Sequence, residues 1–222
     1  MDEFETDYEL PDGNNYDGTF ITIEGIDGSG KTSIINELEI PVDPAQGCVR
    51  TCEPSQYYTG KHTRRMIESD DTPKMADFFA FMSDRVNHND KLIIPSLADG
   101  DIVLCDRYID STFAYQGKSL ENILADPKGF ITDITYESEI VIPDLTLLID
   151  ITPKTSVERS GADDKYEKRE FIEEVQRNYH IQHIRNKRIH MIDGEQSFEN
   201  VLRDCQEVIN NECNSGDSTE SD

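Results

Sequence analysis

The sequence predicts one domain of three-layer α/β architecture, a parallel sheet with helices on both faces. Two observations predict it. Short β-rich runs at 19–24, 48–52, 102–105, 145–151 and 189–192 alternate with helical patterns at 32–38, 74–97, 166–187 and 198–209, and such alternation marks parallel strands joined by crossover helices. The first run also ends in Gly25-Ile26-Asp27-Gly28-Ser29-Gly30-Lys31-Thr32 and passes straight into a helix start, which puts a glycine-rich loop at the carboxyl edge of a strand. A chain of 222 residues suits a single domain with a substantial core.

Taken in order, residues 1–18 carry seven acidic and no basic groups and little apolar content, so they read as a disordered acidic tail. The domain is expected over 19–210. Its strands are rich in Val, Ile, Leu and Thr, and the helix at 74–97 has apolar residues at helical spacing before stopping at Ala98-Asp99-Gly100. The stretch 166–187 is long and amphipathic, 198–209 closes the domain, and 211–222 reads as a second disordered acidic tail. There is no internal repeat.

The chain has 46 acidic and 21 basic residues, a formal net charge of −25. Removing both tails leaves 35 acidic against 21 basic, so the folded part is itself acidic. That surface argues against nucleic acid and anionic membrane as partners, because sequence-independent binding there needs clustered Lys and Arg. Two readings of the charge remain: adaptation to high salt, where screening removes self-repulsion, or an incidentally acidic protein. The first predicts a melting temperature that climbs from about 0.1 M to about 3 M KCl, and a flat or falling curve excludes it. No stretch resembles a membrane span, and the beginning MDEFETDYEL is acidic where a secretory signal is basic and then apolar, so a soluble cytoplasmic protein is expected. Five scattered cysteines with no CxxC pair read as reduced thiols.

The glycine-rich loop binds phosphate. Gly25, Gly28 and Gly30 let backbone N–H groups at Ile26, Asp27, Ser29 and Ser33 approach an anion, Lys31 reaches the outer phosphates of a nucleoside polyphosphate, and the Thr32 hydroxyl can ligate Mg²⁺. Many enzyme classes share such a loop. A GTPase needs a guanine-reading NKxD, and Asn186-Lys187-Arg188-Ile189 lacks the aspartate. The segment at 103–117, VLCDRYIDSTFAYQG, places Asp106 and Arg107 where a strand ends beside the loop. There Asp106 can assist Mg²⁺ while Arg107 grips a phosphate; the competing reading pairs the two with each other or with a neighbouring helix.

The chain resembles the thymidylate kinases over roughly 19–209. The likeness rests on IEGIDGSGKTS, on Glu53-Pro54, on FFAFMSDR at 78–85, on CDRYIDSTFAYQG, on PDLTLLIDITP at 143–153 and on ERSGADDKYEKREF at 158–171. The character is that of family members from salt-adapted microbes. The resemblance implies a P-loop nucleoside monophosphate kinase fold with a short lid at about 158–169, and transfer of the γ-phosphoryl of MgATP to dTMP for dTTP synthesis. It also implies a homodimer formed through helices that flank the sheet. The rivals are a kinase for another pyrimidine nucleotide such as dUMP, and a non-catalytic nucleotide-binding module.

By the same resemblance Asp27 lies near the sugar 3′-hydroxyl and acceptor phosphate, while Pro54 and Phe81 flank the base. Phe78 and Phe79 are assigned to the core. Arg85, four residues after Phe81 and so on its face of the helix, matches the donor to the thymine carbonyl. Thr112 and Gln116 match groups that read the base edge, and Tyr115 matches the residue that crowds C2′ and rejects ribose. The acceptor phosphate falls to Arg107 and one of the adjacent pair Arg64 and Arg65, which point apart on a helix; Arg65 is the choice. The uncharged Gly28-Ser29 pair shifts catalytic charge to Arg159 and Lys165 in the lid, with Arg169 a weaker candidate, and Glu167 matches a carboxylate near the metal. Cys52 stands where many members have arginine.

Overall fold

The computed structural model describes residues 13–40, 46–69, 71–160 and 165–215, with the side chains of Ser160, 165–168 and 213–215 left out. Five strands, β1 (Thr19–Glu24), β2 (Cys48–Cys52), β3 (Ile102–Asp106), β4 (Leu145–Asp150) and β5 (Ile189–Asp193), pair in the order β2-β3-β1-β4-β5. All four pairings are parallel, with Thr19 opposite Ile102, Ile21 opposite Leu145 and Thr146 opposite Ile189. Strand side chains alternate between the faces. Phe20, Val103 and Cys105 meet Phe78, Met82 and Phe113 on one face, while Ile21, Ile23, Ile102, Leu104 and Leu147 meet Ile34, Val201 and Cys205 on the other. Because both faces are covered, the strands read as apolar runs, and their expected bounds stand within one residue.

The helices needed more correction. Helix α1 (Lys31–Glu37) follows the loop, and α2 (Tyr58–Ile67) is the helix expected to carry Arg64 and Arg65. The single helix expected over 74–97 is α3 (Lys74–His88), a wide π turn over Asn89–Ile93, and α4 (Ile94–Ala98). Two residues account for the break. The Asn89 amide donates to Arg85 O at 2.9 Å and to the Tyr108 hydroxyl at 2.7 Å, so its side chain serves the widened turn, and Pro95 brings no N–H to the following one.

A second wide turn, Thr112–Gln116, lies between the short helices α5 (Ile109–Ser111) and α6 (Gly117–Ser119). Helix α7 (Pro127–Glu137) is capped by Asp126, whose carboxylate accepts from Gly129 N at 3.0 Å with Pro127 in the first turn. Helices α8 (Pro153–Ser160) and α9 (Lys165–Arg185) carry the two ends of the stretch expected as a lid, 158–169, and α10 (Phe198–Ser215) runs six residues past its expected end. Among the described residues no helix is long and apolar enough to cross a membrane.

Residues 13–18, expected as part of the amino-terminal tail, are held by the domain. Asn14 donates from its backbone to Asp144 Oδ1 at 2.8 Å and from its amide to Asp144 Oδ2, which also accepts Phe20 N at 2.7 Å. Gly18 N donates to Leu97 O at 2.9 Å. Residues 13–18 are therefore pinned to the amino-terminal edge of the sheet, and the disorder expected for 1–12 and 216–222 concerns positions outside the described residues. Phe79, assigned to the core, is half-exposed, packing only its edges against Phe78 and Phe130.

Candidate active site

The carboxyl ends of the parallel strands share one edge of the sheet, the place where such folds bind ligands. After β1 the backbone takes positive φ at Gly25 (143°), Gly28 (80°) and Gly30 (90°). At Gly25 a Cβ would also lie 2.5 Å from Ile149 O, so only glycine fits there. The loop folds round its own lysine: Lys31 Nζ donates to Ile26 O at 2.9 Å and Ser29 Oγ at 3.1 Å. Burial, and then the charge of Arg107, push the Lys31 ammonium down to about 7.

Thr32 Oγ1 donates to Asp106 Oδ2 at 2.6 Å, joining the helix start to the end of β3. Asp106 Oδ1 is buried with no protein partner. Buried polar oxygens are normally satisfied, so a hydroxyl and a carboxylate with one open oxygen fit Mg²⁺, which prefers one or two protein oxygens plus phosphate and water. Among the described residues no cluster of three His, Cys, Asp or Glu offers an alternative metal cage.

Arg107 follows directly, with φ of 68°. Its Nη1 donates to Gly25 O at 3.0 Å and Ser111 Oγ at 3.1 Å, and its Nη2 meets Asp27 Oδ1 at 2.6 Å. The guanidinium also lies over the Tyr115 ring at 5.2 Å. Its carboxylate partner is thus Asp27, across the phosphate loop, and not Asp106.

A cavity of about 340 Å³ opens beside Arg107, a volume suited to a mononucleotide. Asp27, Pro54, Phe81, Arg85, Arg107, Thr112, Tyr115 and Gln116 all line it. These eight come from five separate stretches of chain, and the fold brings them together. Phe81 is partly exposed to the cavity, one helical turn from Arg85. Arg85 is buried: Nε and Nη2 meet Glu53 Oε2 at 2.9 and 2.7 Å, and Nη1 donates to Thr112 Oγ1 at 3.0 Å. Burial is the largest single influence and opposes its charge, but Glu53, Tyr108 and Glu24 together outweigh it, so the guanidinium stays ionised. The Tyr115 hydroxyl is buried on the cavity wall without a protein partner, and burial holds it up at about 12, so it is a neutral phenol.

The two arginines on α2 point apart, and neither lines the cavity. Arg64, not Arg65, turns inward: its Nη1 donates to Ser55 O at 2.8 Å and its Nη2 to Pro54 O, whereas Arg65 is exposed. The reason is the docking face of α2. Gly60 packs against Ser55, where a Cβ would strike Ser55 O, and Thr63 Oγ1 donates to Ala80 O at 3.0 Å. Arg64 sits one turn after Gly60 on that face.

The lid root reaches the loop. Ser156 Oγ donates to Asp27 O at 2.6 Å, and Arg159 Nη1 donates to Gly28 O at 3.2 Å. Arg159 thus lies beside the uncharged Gly28-Ser29 pair. Gly161 and the side chains of Ser160, Lys165 and Glu167 lie outside the described part of the chain. Arg169 pairs with Glu173 on the exposed side of α9 at 2.9 Å.

Two carboxylates escaped the sequence reading as functional groups. Glu53, quoted only as part of a motif, pairs with Arg85 and lies 3.2 Å from His88 Nδ1. Asp84 accepts Ser55 N, Ser55 Oγ and Thr59 Oγ1 at 2.6 to 2.7 Å, which fixes the Pro54 wall of the cavity on α3. A carboxylate directly before Arg85, just after the apolar run Phe78–Met82, was the available signal for the second.

The thymidylate kinase family model matches residues 23–205. A probable thymidylate kinase from Halobacterium salinarum is 34% identical over 190 residues, covering 85% of this chain and 94% of the relative. One from Methanosarcina barkeri is 42% identical over 163 residues, covering 71% of this chain and 78% of the relative. The crystal structure of thymidylate kinase from Ehrlichia chaffeensis superposes with a TM-score of 0.65 at 28% identity, covering 86% of this chain and 98% of that one. The phosphate loop, the cavity and these likenesses coincide over the same stretch of sequence, and the chain belongs to the thymidylate kinase family.

Proposed function

We propose that this chain transfers the γ-phosphoryl group of MgATP to dTMP, giving dTDP and ADP for dTTP synthesis. The observation that carries the reading is the single cavity. It sets an aromatic face (Phe81) and hydrogen-bonding groups for a base (Arg85, Thr112, Gln116) in one wall, and Asp27 and Arg107 at the phosphate loop. In this reading Phe81 and Pro54 hold the thymine ring, Arg85 donates to a ring carbonyl, and Tyr115 fills the space that a ribose 2′-hydroxyl needs. Arg107 and Arg64 hold the acceptor phosphate. The phosphate loop wraps the donor phosphates, with Lys31 and Arg159 placed against the charge that develops on the transferred group. Thr32 and Asp106 would hold Mg²⁺, which when bound neutralises phosphate oxygens. By the family resemblance, Lys165 is proposed to supply further charge and Glu167 to serve the metal.

The test is ADP release with a panel of nucleoside monophosphates in low and multimolar KCl. We expect dTMP to be the best acceptor. Absence of turnover on dTMP in every salt, or faster turnover of dUMP, defeats the reading. Within that assay Tyr115→Ala is expected to shrink the preference for dTMP over its ribonucleotide counterpart about tenfold or more; a variant that is less stable but equally selective makes Tyr115 a packing residue only.

The acidic surface supports work in the cytoplasm away from nucleic acid and membrane. A homodimer is the proposed assembly, supported by Phe79 and Val86, two exposed apolar residues seven apart on one face of α3; sedimentation at micromolar concentration checks it.

A further inference from the structure

Glu24, the last residue of β1, is completely buried and takes no part in the chemistry above. Its surroundings point elsewhere. Oε1 accepts Tyr108 N at 2.7 Å and Ser111 N at 3.2 Å, while Oε2 accepts Ser111 Oγ at 2.6 Å and the Tyr179 hydroxyl at 3.0 Å. Three of these donors, on Tyr108 and Ser111, lie within four residues after Arg107. Arg107 N makes the last bond of the sheet, to Ile23 O at 3.0 Å, and the residue then takes a φ of 68°, a conformation that a side chain with a Cβ rarely adopts. The next amide, Tyr108 N, is the one Glu24 captures. Ser111 provides a second link: its hydroxyl proton goes to Glu24, which leaves its oxygen to accept Arg107 Nη1 at 3.1 Å.

We propose that Glu24 is the positioning residue for Arg107, holding the left-handed turn through Tyr108 N and aiming the guanidinium through Ser111. The charged and titratable groups around Glu24 are Arg107, Asp110 and Tyr179, with Lys31, Arg85, Cys105 and Tyr108 also within electrostatic reach; burial and then Asp110 raise its carboxyl, while Ser111, Arg107 and the Tyr108 amide oppose that rise. Four donors converge on its two oxygens, which suits the ionised form.

The inference rests on the proposed dTMP reading for its kinetic consequence, so the test has a second readout that needs no substrate. In Glu24→Leu, the KM for dTMP is expected to rise about tenfold or more while the KM for ATP stays within about twofold. In an Arg107→Lys background the same substitution is expected to add nothing. Glu24→Gln keeps a carbonyl for the two amides but reverses the Ser111 hydroxyl, so a rise of about threefold is expected, and it carries the test if the leucine variant fails to fold. Separately, the ¹⁵N side-chain signal of Arg107, assigned by its loss in Arg107→Lys, is expected to move to the solvent-averaged arginine position in either variant. Equal rises in both KM values, a full effect in the Arg107→Lys background, or an unmoved Arg107 signal overturns the positioning role. A wild-type enzyme inert toward dTMP strikes the functional reading alone, and the Arg107 signal then decides the inference.

Discussion

Lys31→Met is expected to lower kcat about a thousandfold and, at the same time, to make the protein harder to melt. The first effect follows from removing a cation aimed at charge that grows in the transition state, typically worth a factor of 10² to 10³ per donor. The second follows from the pKa. A lysine held near 7 in the fold but near its ordinary value when unfolded binds fewer protons in the native state between those limits. Its burial therefore destabilises the fold by the full amount below about pH 7, and the penalty fades as the pH rises toward the unfolded value. Methionine fills similar space with no charge to bury. We expect its melting temperature to exceed the wild type's by a few degrees at pH 6 and by less at pH 9. Calorimetry of both proteins at the two pH values, beside turnover with dTMP, checks the pair of signs. A variant that is inactive and also less stable at pH 6 shows that the two hydrogen bonds to Ile26 O and Ser29 Oγ outweigh the buried charge.

Arg85→Met is expected to lower stability and dTMP affinity together. The substitution strands Glu53, nearly completely buried, without its main counter-ion. Breaking a buried pair from one side costs about 3–5 kcal/mol. It also removes the group proposed to donate to the base, so the KM for dTMP should rise about a hundredfold, in line with the loss of a charge-assisted hydrogen bond. Glu53→Gln in the same chain is expected to recover about half of the lost stability and none of the dTMP affinity. Chemical denaturation separates the cases: recovery of both in the double variant would assign Arg85 to architecture alone.

How much of this was legible beforehand depends on distance along the chain. The strands were readable because residues buried on both faces must all be apolar, and that shows in any window of five. The phosphate loop was readable because its glycines, lysine and threonine are contiguous. Arg85 could be placed through Phe81, one turn away on the same helix. Which of Arg64 and Arg65 turns inward was not legible, because adjacent helical residues point about 100° apart and the local charge pattern does not tell which direction is inward. Gly60, one turn before Arg64, held the answer, since a glycine inside a helix often marks a close approach. Glu24 and Glu53 were invisible as working groups for a different reason: the residues that satisfy them lie 84 to 155 and 32 to 35 positions further along, so only the folded sheet edge discloses their use. The break in the helix at Asn89 was equally hidden, because Asn89 is bonded to Tyr108 and Val141 on other elements.

The wide turn Thr112–Gln116 carries a constraint on how this protein can change over generations. Ser111 and Thr112 at its start, and Tyr115, Gln116 and Ser119 at and beyond its end, form one wall of the cavity. Each helical residue advances the chain by about 100°. Loss of one codon within the turn would restore ordinary helical winding and swing the later three side chains out of that wall, while leaving the amino-acid types intact. Gain of one would do the reverse. Inserting or deleting one residue at 112–116 is therefore expected to alter acceptor choice even when Thr112, Tyr115 and Gln116 are all retained.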